Sequence, residues 1–233
     1  MTIAAIYEKG LARFMGIDLL VAPGALVPRE ETELLGRTAI AAITAQGTKA
    51  PRVIDMGCGS GNLACSIAMN VPQAHLWACD LTMPCVNITE RNVRNLGLSD
   101  RVSVHQGDLF AAVDGLGLEG SIDAIVCNPP YISDKRLAGD RAELLSHEPR
   151  EAFDGGPYGL SVHQRVLRDA PRFLRPGGVL MFEIGIGQSR QVELLYQRAR
   201  CYDDIRLVTA SDGEVRVVCG QLRAQLQGTS SAA

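Results

Sequence analysis

At 233 residues, with 46% hydrophobic and 21% charged residues and a net charge of −3, the chain has the composition of one large globular unit with ample core. The slight acidity and the absence of a long basic run argue against a dedicated duplex-DNA binder, whose affinity rests on phosphate neutralisation, and no apolar run approaches the ~20 residues of a membrane span. Seven cysteines fall singly, without Cys-x-x-Cys or a matching histidine spacing, so reduced thiols of a cytoplasmic protein are expected, not disulfides or zinc.

In chain order, Ile3, Ile6, Tyr7 and Leu11 recur at helical spacing and predict a helix within 1–16, ending at Gly10 or Gly16. Glu8, Lys9 and Arg13 interrupt this stretch, so no secretory leader is expected. Short apolar runs at 19–21 and 25–27 around Pro23-Gly24 predict a hairpin. Glu31 or Thr32 is then expected to cap a helix carrying Leu34, Leu35, Ala39, Ile40 and Ile43. From Arg52 the pattern alternates. Strands are predicted at 53–56, 75–80, 102–105, 122–127 and 179–184, and helices near 61–70, 84–97, 159–174 and 188–200. Two late strands, 205–209 and 215–219, meet around Asp212-Gly213. This order implies an α/β fold, a doubly wound and mostly parallel seven-stranded sheet with an antiparallel C-terminal hairpin. The chain divides into an N-terminal helix, hairpin and cover segment (1–50), a catalytic domain (51–223) and a frayed tail (224–233).

Chemistry concentrates at the carboxyl ends of the predicted strands, where such sheets bind ligands. The first strand runs into Asp55-Met56-Gly57-Cys58-Gly59-Ser60-Gly61. Glycines there allow a tight turn and close approach to a ligand. Nineteen positions after Gly61, Asp80 ends the next apolar run and can hold the two hydroxyls of a ribose. The glycine spacing and the lack of Lys or Arg in the loop favour a nucleoside without phosphates over a dinucleotide. Asp55 has a plain alternative role, bracing the loop through backbone N–H groups. The fourth strand runs into Cys127-Asn128-Pro129-Pro130-Tyr131. An Asn amide oxygen beside a Pro carbonyl forms a polar shelf that can take both hydrogens of an N–H₂ group. A strand-ending turn is its plain alternative. Asp108 precedes Leu109-Phe110 at the end of the third strand and also suits a helix N-cap.

Together these motifs resemble a class I S-adenosylmethionine (SAM) dependent methyltransferase. More narrowly, the chain resembles the HemK/PrmC family of release-factor glutamine N5-methyltransferases. The narrower likeness rests on the segment Val27-Pro28-Arg29-Glu30-Glu31-Thr32-Glu33 and on Glu148-Pro149-Arg150-Glu151-Ala152-Phe153-Asp154-Gly155-Gly156. Gly159-Leu160, Pro176-Gly177-Gly178, Phe182-Glu183-Ile184-Gly185 and Gln188 complete it. The resemblance implies SAM as cofactor, held by Asp55, Gly57, Cys58, Gly59, Gly61, Asp80, Leu81, Asp108, Leu109 and Asn128. Asp108 would accept from the adenine amino group. Asn128, Pro129 and Tyr131 become the catalytic shelf, with Tyr131 walling the nucleophile and facing the sulfonium. Arg29 and Thr32 become substrate or lid residues, and Glu148 and Glu183 acids near the site. No dedicated base is evident, and no metal is implied.

The long polar stretch 132–157, with Arg136, Arg141 and Arg150, is expected to form a substrate loop with a helix over 138–145. Trp77 is expected in the core. Two departures leave the substrate open. About fifty residues precede the glycine loop, so the substrate-docking helical domain usual in the family is expected to be missing, and Glu30 stands where the family has Pro. One reading is N-methylation of a protein glutamine or similar amide, with a partner subunit. A second is a small-molecule biosynthetic enzyme, including cyclisation of SAM itself to a four-membered ring amino acid (azetidine-2-carboxylate) with release of methylthioadenosine. A third is a non-catalytic SAM-binding subunit, for which an intact shelf has no use. Nucleic acid is disfavoured by the charge and by the 148–156 motif.

Overall fold

The structure is a computed structural model and describes residues 2–139 and 142–224. Helix α1 (Ile3–Lys9) starts at Thr2, whose hydroxyl accepts the Ala5 N–H at 3.3 Å, and stops at Gly10 in the left-handed conformation. A hairpin follows at once, β1 (Leu11–Phe14) against β2 (Ile17–Leu20). This corrects the expectation of a hairpin around Pro23-Gly24. The turn is Met15-Gly16, both at positive φ, the backbone that matches strand twist in a two-residue hairpin. The chain from Val21 to Arg29 belongs to no strand or helix and runs along the ligand-binding edge of the sheet as a cover. Asn92 ties the hairpin to the glycine loop. It accepts the Leu20 N–H at 2.7 Å and donates to the carbonyls of Leu20 and Ser60.

Helix α2 (Glu33–Ala45) follows a short 3₁₀ turn, Glu30–Thr32. Thr32 stands at its N-cap position but makes no capping hydrogen bond. The alternating part comprises β3 (Arg52–Met56), α3 (Asn62–Asn70), β4 (His75–Asp80), α4 (Met83–Asn95), β5 (Val102–Gln106) and β6 (Ile122–Cys127). Helices α5 (Asp134–Ala138) and α6 (Ser161–Asp169), strand β7 (Leu174–Glu183), α7 (Ser189–Ala199), β8 (Tyr202–Thr209) and β9 (Val215–Leu222) complete it. The sheet order is β5-β4-β3-β6-β7-β9-β8, with the first five strands parallel and β9 antiparallel to both neighbours. This is the expected doubly wound α/β sheet with an antiparallel C-terminal hairpin.

Side chains alternate across it with period two. Val53, Ala124, Val126, Val179 and Met181 pack beneath α2 and α3, against Leu35, Ile43, Leu63 and Ile67. Ile54, Ile125, Leu180 and Phe182 face Val166, Val192 and Tyr196 of α6 and α7, with Trp77 packed at the margin. Strand β7 starts earlier than expected, because Gly177 at positive φ and Gly178 carry the pairing past Pro176. The predicted helix over 138–145 is replaced by α5 and a 3₁₀ turn, Ala142–Ser146. Arg141 and the tail from 225 onward lie outside the described residues. Among the described residues no helix is long and apolar enough to cross a membrane, and no cluster of His, Cys, Asp or Glu could hold a metal ion. The chain winds from β3 outward to β5, then returns to β6 on the other side of β3. Sheet topology therefore puts the carboxyl ends of β3 and β6, which carry the glycine loop and the Asn-Pro-Pro-Tyr shelf, side by side at the switch point.

Candidate active site

A cavity of about 320 Å³ opens at this switch point, within the range of small-molecule sites. Its floor is the glycine loop. The N–H groups of Gly57 and Cys58 both donate to the Cys79 carbonyl, at 2.8 and 2.9 Å, clamping the loop to β4. Gly57, Gly59 and Gly61 all have positive φ. A Cβ on Gly59 would meet no atom within 4 Å, so a side chain there would stand in the cavity. A Cβ on Gly61 would come within 2.8 Å of Thr89, so that glycine serves packing, and it does not line the cavity. Asp55 is also behind the loop. It is fully buried, and its Oδ2 accepts the Ala64 N–H of α3 at 2.9 Å. Burial pushes its carboxyl up to about 7 against that bond. The geometry gives Asp55 the bracing position, not a place on the lining.

Asp80 does line the cavity, as do Cys58, Gly59 and the half-exposed Leu81. Asp80 Oδ2 accepts the Gly59 N–H at 3.0 Å, and Oδ1 accepts the Thr82 N–H at 3.0 Å and hydroxyl at 3.3 Å. Two oxygens offer about four lone-pair sites, so Oδ2 retains one. Oδ1 gains one if the Thr82 hydroxyl rotates away. That is the capacity a vicinal diol needs. Asp108 and Leu109 form the far wall. Asp108 occupies an N-cap position without capping. It pairs instead with Arg165 of α6 at 2.7 Å.

The shelf forms the opposite wall. Asn128, Pro129 and Pro130 line the cavity. Asn128 Nδ2 donates to the Thr32 hydroxyl at 3.1 Å. With the nitrogen turned to Thr32, the amide oxygen faces the cavity; Thr32 itself is in the αR conformation, not the extended one of a capping residue. Asn128 Oδ1 and the Pro129 carbonyl accept no hydrogen bond among the described residues. Tyr131 departs from expectation: it does not line the cavity. Its hydroxyl points back to Glu183 Oε1 at 3.4 Å, and burial pushes its phenol up to about 12. Its ring and backbone hold the shelf from behind. The Tyr131 carbonyl accepts from Gln188 Nε2 at 3.0 Å, and a Cβ on Gly159 would lie 2.3 Å from it.

The cover segment closes the top with Gly24, Val27, Pro28, Arg29 and Thr32. Arg29 forms an ion pair with Glu148, whose side chain is 2% exposed. Glu148 also accepts the Val27 N–H at 3.0 Å. The Tyr7 hydroxyl fastens α1 to the Ala25 carbonyl at 2.7 Å. In the 148–156 motif, Arg150 pairs with Asp154 at 2.8 Å, and Ile132 exchanges backbone bonds with Phe153 and Gly155. Glu151 and Asp154 reach the cavity, as do Cys85 and Arg165. Cys85 and Arg165 carried no distinguishing sequence signal, because one sits in an amphipathic helix and the other resembles a solvated helix face. The residues present fit SAM: an open, uncharged glycine cradle, an acid with acceptor sites left for a diol, and a polar shelf beside them.

The Methyltransferase small domain family model matches residues 37–157. The release factor glutamine methyltransferase of Moorella thermoacetica is 38% identical over 196 residues, covering 84% of this chain and 67% of its own. The 4-amino-L-phenylalanine/4-methylamino-L-phenylalanine methyltransferase of Streptomyces pristinaespiralis is 38% identical over 191 residues, 81% of this chain and 63% of its own. Among solved structures, the release-factor-specific protein-(glutamine-N5) methyltransferase of Alicyclobacillus acidocaldarius superposes with a TM-score of 0.51 at 26% identity, over 88% of this chain and 99% of that one. The sheet order, the glycine cradle and these likenesses define a SAM-dependent class I methyltransferase. Within that class, the chain belongs to the Methyltransferase small domain family, on its HemK/PrmC-like side.

Proposed function

We propose that the enzyme methylates a side-chain amide nitrogen of the glutamine type, presented by a protein. The observation that carries this reading is the Asn128 amide, anchored by its nitrogen to Thr32, with its oxygen and the neighbouring Pro129 carbonyl taking no hydrogen bond among the described residues. Two acceptors of that kind suit an N–H₂ group and have nothing to offer an oxygen nucleophile without a proton. When bound, SAM supplies a methyl group already activated by its sulfonium. The protein's part is then to position and desolvate the nitrogen. An amide lone pair is delocalised, and acceptors on both N–H groups favour the pyramidal nitrogen of the transition state over the planar ground state. Similarity to release factor glutamine methyltransferases supports this acceptor class. Asp80 would hold the ribose hydroxyls, and Asp108 with Leu109 would border the adenine.

The Streptomyces pristinaespiralis relative, named for methylation of an aromatic amine, supports a second reading with a small-molecule amine as acceptor. Attack by SAM's own amine on its Cγ is a different reaction: the new N–C bond closes a four-membered ring as the Cγ–S bond breaks, and methylthioadenosine leaves. One experiment separates them: chromatography of products from SAM alone and from SAM with a Gly-Gly-Gln-containing protein. S-adenosylhomocysteine formed with the protein, and a methylated glutamine in that protein, are the expected results. Methylthioadenosine from SAM alone above the uncatalysed background overturns the proposal in favour of cyclisation. S-adenosylhomocysteine formed with small amines and not with the protein overturns it in favour of the second reading.

A further inference from the structure

A buried polar cluster lies directly behind the shelf. Glu183, at the end of β7, is 1% exposed. Its Oε1 takes the Tyr131 hydroxyl at 3.4 Å and lies 3.7 Å from Arg216 Nη2, on β9. Its Oε2 is buried and makes no hydrogen bond among the described residues, which leaves it able to accept from the neighbouring Thr32 hydroxyl, a group that favours its ionised form. Thr32 in turn receives the Asn128 Nδ2 hydrogen at 3.1 Å. We propose that Glu183 is a positioning residue for methyl transfer: as a carboxylate it sets the direction of the Thr32 hydroxyl and so keeps the Asn128 oxygen, not its NH₂, turned to the cavity. The inference rests on the reading that Asn128 accepts from the nucleophilic nitrogen.

The argument is one of hydrogen-bond polarity. A hydroxyl has one hydrogen to donate and two lone pairs. An ionised Glu183 is acceptor-only, so the Thr32 hydrogen goes to it. The lone pairs of Thr32 are then left for Asn128, which must approach with its NH₂. Once Glu183 is protonated it can itself donate to Thr32, and the Thr32 hydrogen is released to point at Asn128. The amide is then equally satisfied with its oxygen inward, presenting NH₂ to an N–H substrate, donor against donor. The groups facing Glu183 hold this balance close. Burial pushes its carboxyl up to about 7, and Glu31 on the 3₁₀ turn adds to that. Thr32, Arg216 and Tyr131 pull the other way. His163 of α6 meets the Glu183 backbone carbonyl at 3.3 Å and is held neutral, burial lowering it to about 4. The buried Cys127 thiol, pushed well up by burial, adds no charge at neutral pH.

The test reads Asn128 directly. Full-length protein is labelled with ¹⁵N-asparagine, and the Asn128 side-chain resonances are identified by their loss in Asn128→Ala. Those resonances are expected to shift with a midpoint near pH 7 in the wild type. The shift should vanish in Glu183→Gln and Thr32→Val and persist in Thr32→Ser. Should Glu183→Gln fail to fold, the two Thr32 variants alone decide. Resonances that stay flat in the wild type, or titrate identically in Glu183→Gln or Thr32→Val, overturn the inference. Turnover is read in parallel on whichever nucleoside product forms. Below the midpoint kcat should fall about tenfold per pH unit in the wild type, with KM for SAM little changed. Glu183→Gln should be slower and should lose that limb. A product other than the methylated amide, with the Asn128 titration intact, would sink the proposed acceptor while leaving the positioning role standing.

Discussion

Replacing Asp80 tests the cofactor site most directly, and the structure sets the size of the effect. Asp80 already accepts three hydrogen bonds, from the Gly59 N–H and from the N–H and hydroxyl of Thr82. A ribose diol would take the remaining site on Oδ2 and displace the Thr82 hydroxyl from Oδ1. Hydrogen bonds to a charged group contribute about 1.5–3 kcal/mol each, and one of the two here replaces an existing long bond of 3.3 Å. Asp80→Ala should therefore cost SAM about 2–4 kcal/mol, or roughly 30- to 1,000-fold in Kd. Asp80→Asn keeps one acceptor oxygen but turns NH₂ toward either Gly59 N–H or Thr82 N–H, two donors face to face. It should lose about 1–3 kcal/mol and, unlike Asp80→Ala, loosen the glycine loop by repulsion. Isothermal titration calorimetry with SAM gives the affinities, and urea melts of the free protein report the loop. Kd values within about twofold of wild type for both variants would refute the ribose assignment and leave Asp80 as a brace between β4 and the loop.

Asn128→Ala should lower kcat by about 10²-fold or more with SAM affinity nearly unchanged, because on the proposed mechanism the amide oxygen accepts from the nucleophile; unaltered turnover would remove the shelf from the chemistry. Arg29→Ala leaves the Glu148 carboxylate, 2% exposed, without its cation, and should destabilise the protein by about 2–4 kcal/mol in urea melts. A variant as stable as wild type would show that the Arg29–Glu148 pair contributes nothing to the fold. Burial raises the Asp55 carboxyl to about 7 in the folded state, well above its ordinary value, so the folded protein binds its proton more tightly than the unfolded chain does. Its contribution is then fully present below the unfolded value and is lost as pH rises through about 7. Asp55→Asn keeps the acceptor for Ala64 N–H and removes the ionisation. It should flatten the decline in stability between those two pH values, by a few kcal/mol at most; an undiminished decline places that decline on another group, Glu183 being the first candidate.

Much of the fold was legible because its signals are local and repeated. Val53-Ile54 and Ile122 to Val126 are apolar runs of strand length between turn residues, and a buried parallel strand requires just that. Helix α2 was readable from Leu35, Ala39 and Ile43, which are buried on one face. The misplaced hairpin shows where local signals mislead. Pro23-Gly24 is a strong turn dipeptide, but its neighbours 19–21 and 25–27 are apolar for a different reason: Leu19 and Val21 are buried against the fold, and Ala25 and Val27 are the buried face of the cover, Ala25 against Cys85 and Ile88 of α4. The real turn, Met15-Gly16, carries a residue that rarely adopts positive φ. There the pairing of Phe14 with Ile17 and the bond from the Met15 N–H to Glu33 outweigh the local cost.

At the site, sequence spacing identified residues that touch through backbone geometry and failed for those set by side-chain direction. Gly57, Gly59, Asp80 and Asn128 lie at strand ends, so topology alone brings them together. Tyr131 lies three residues beyond Asn128, and neighbours in sequence after Pro-Pro need not share a face; its hydroxyl goes to Glu183, which lies behind the shelf beside Arg216. Thr32 lines the cavity and stands at the N-cap position of α2, but its αR backbone makes no capping bond; its hydroxyl instead takes the amide N–H of Asn128, 96 positions away. That choice links two parts of the enzyme that the sequence separates. On the proposed reading, the segment over the cavity also carries Thr32, the partner of the Asn128 amide, so a loosened cover would cost turnover before it cost folding. Variants of Arg29 that still fold should accordingly lose kcat along with SAM affinity, whereas a cover acting merely as a cap on the cofactor would leave kcat intact at saturating SAM.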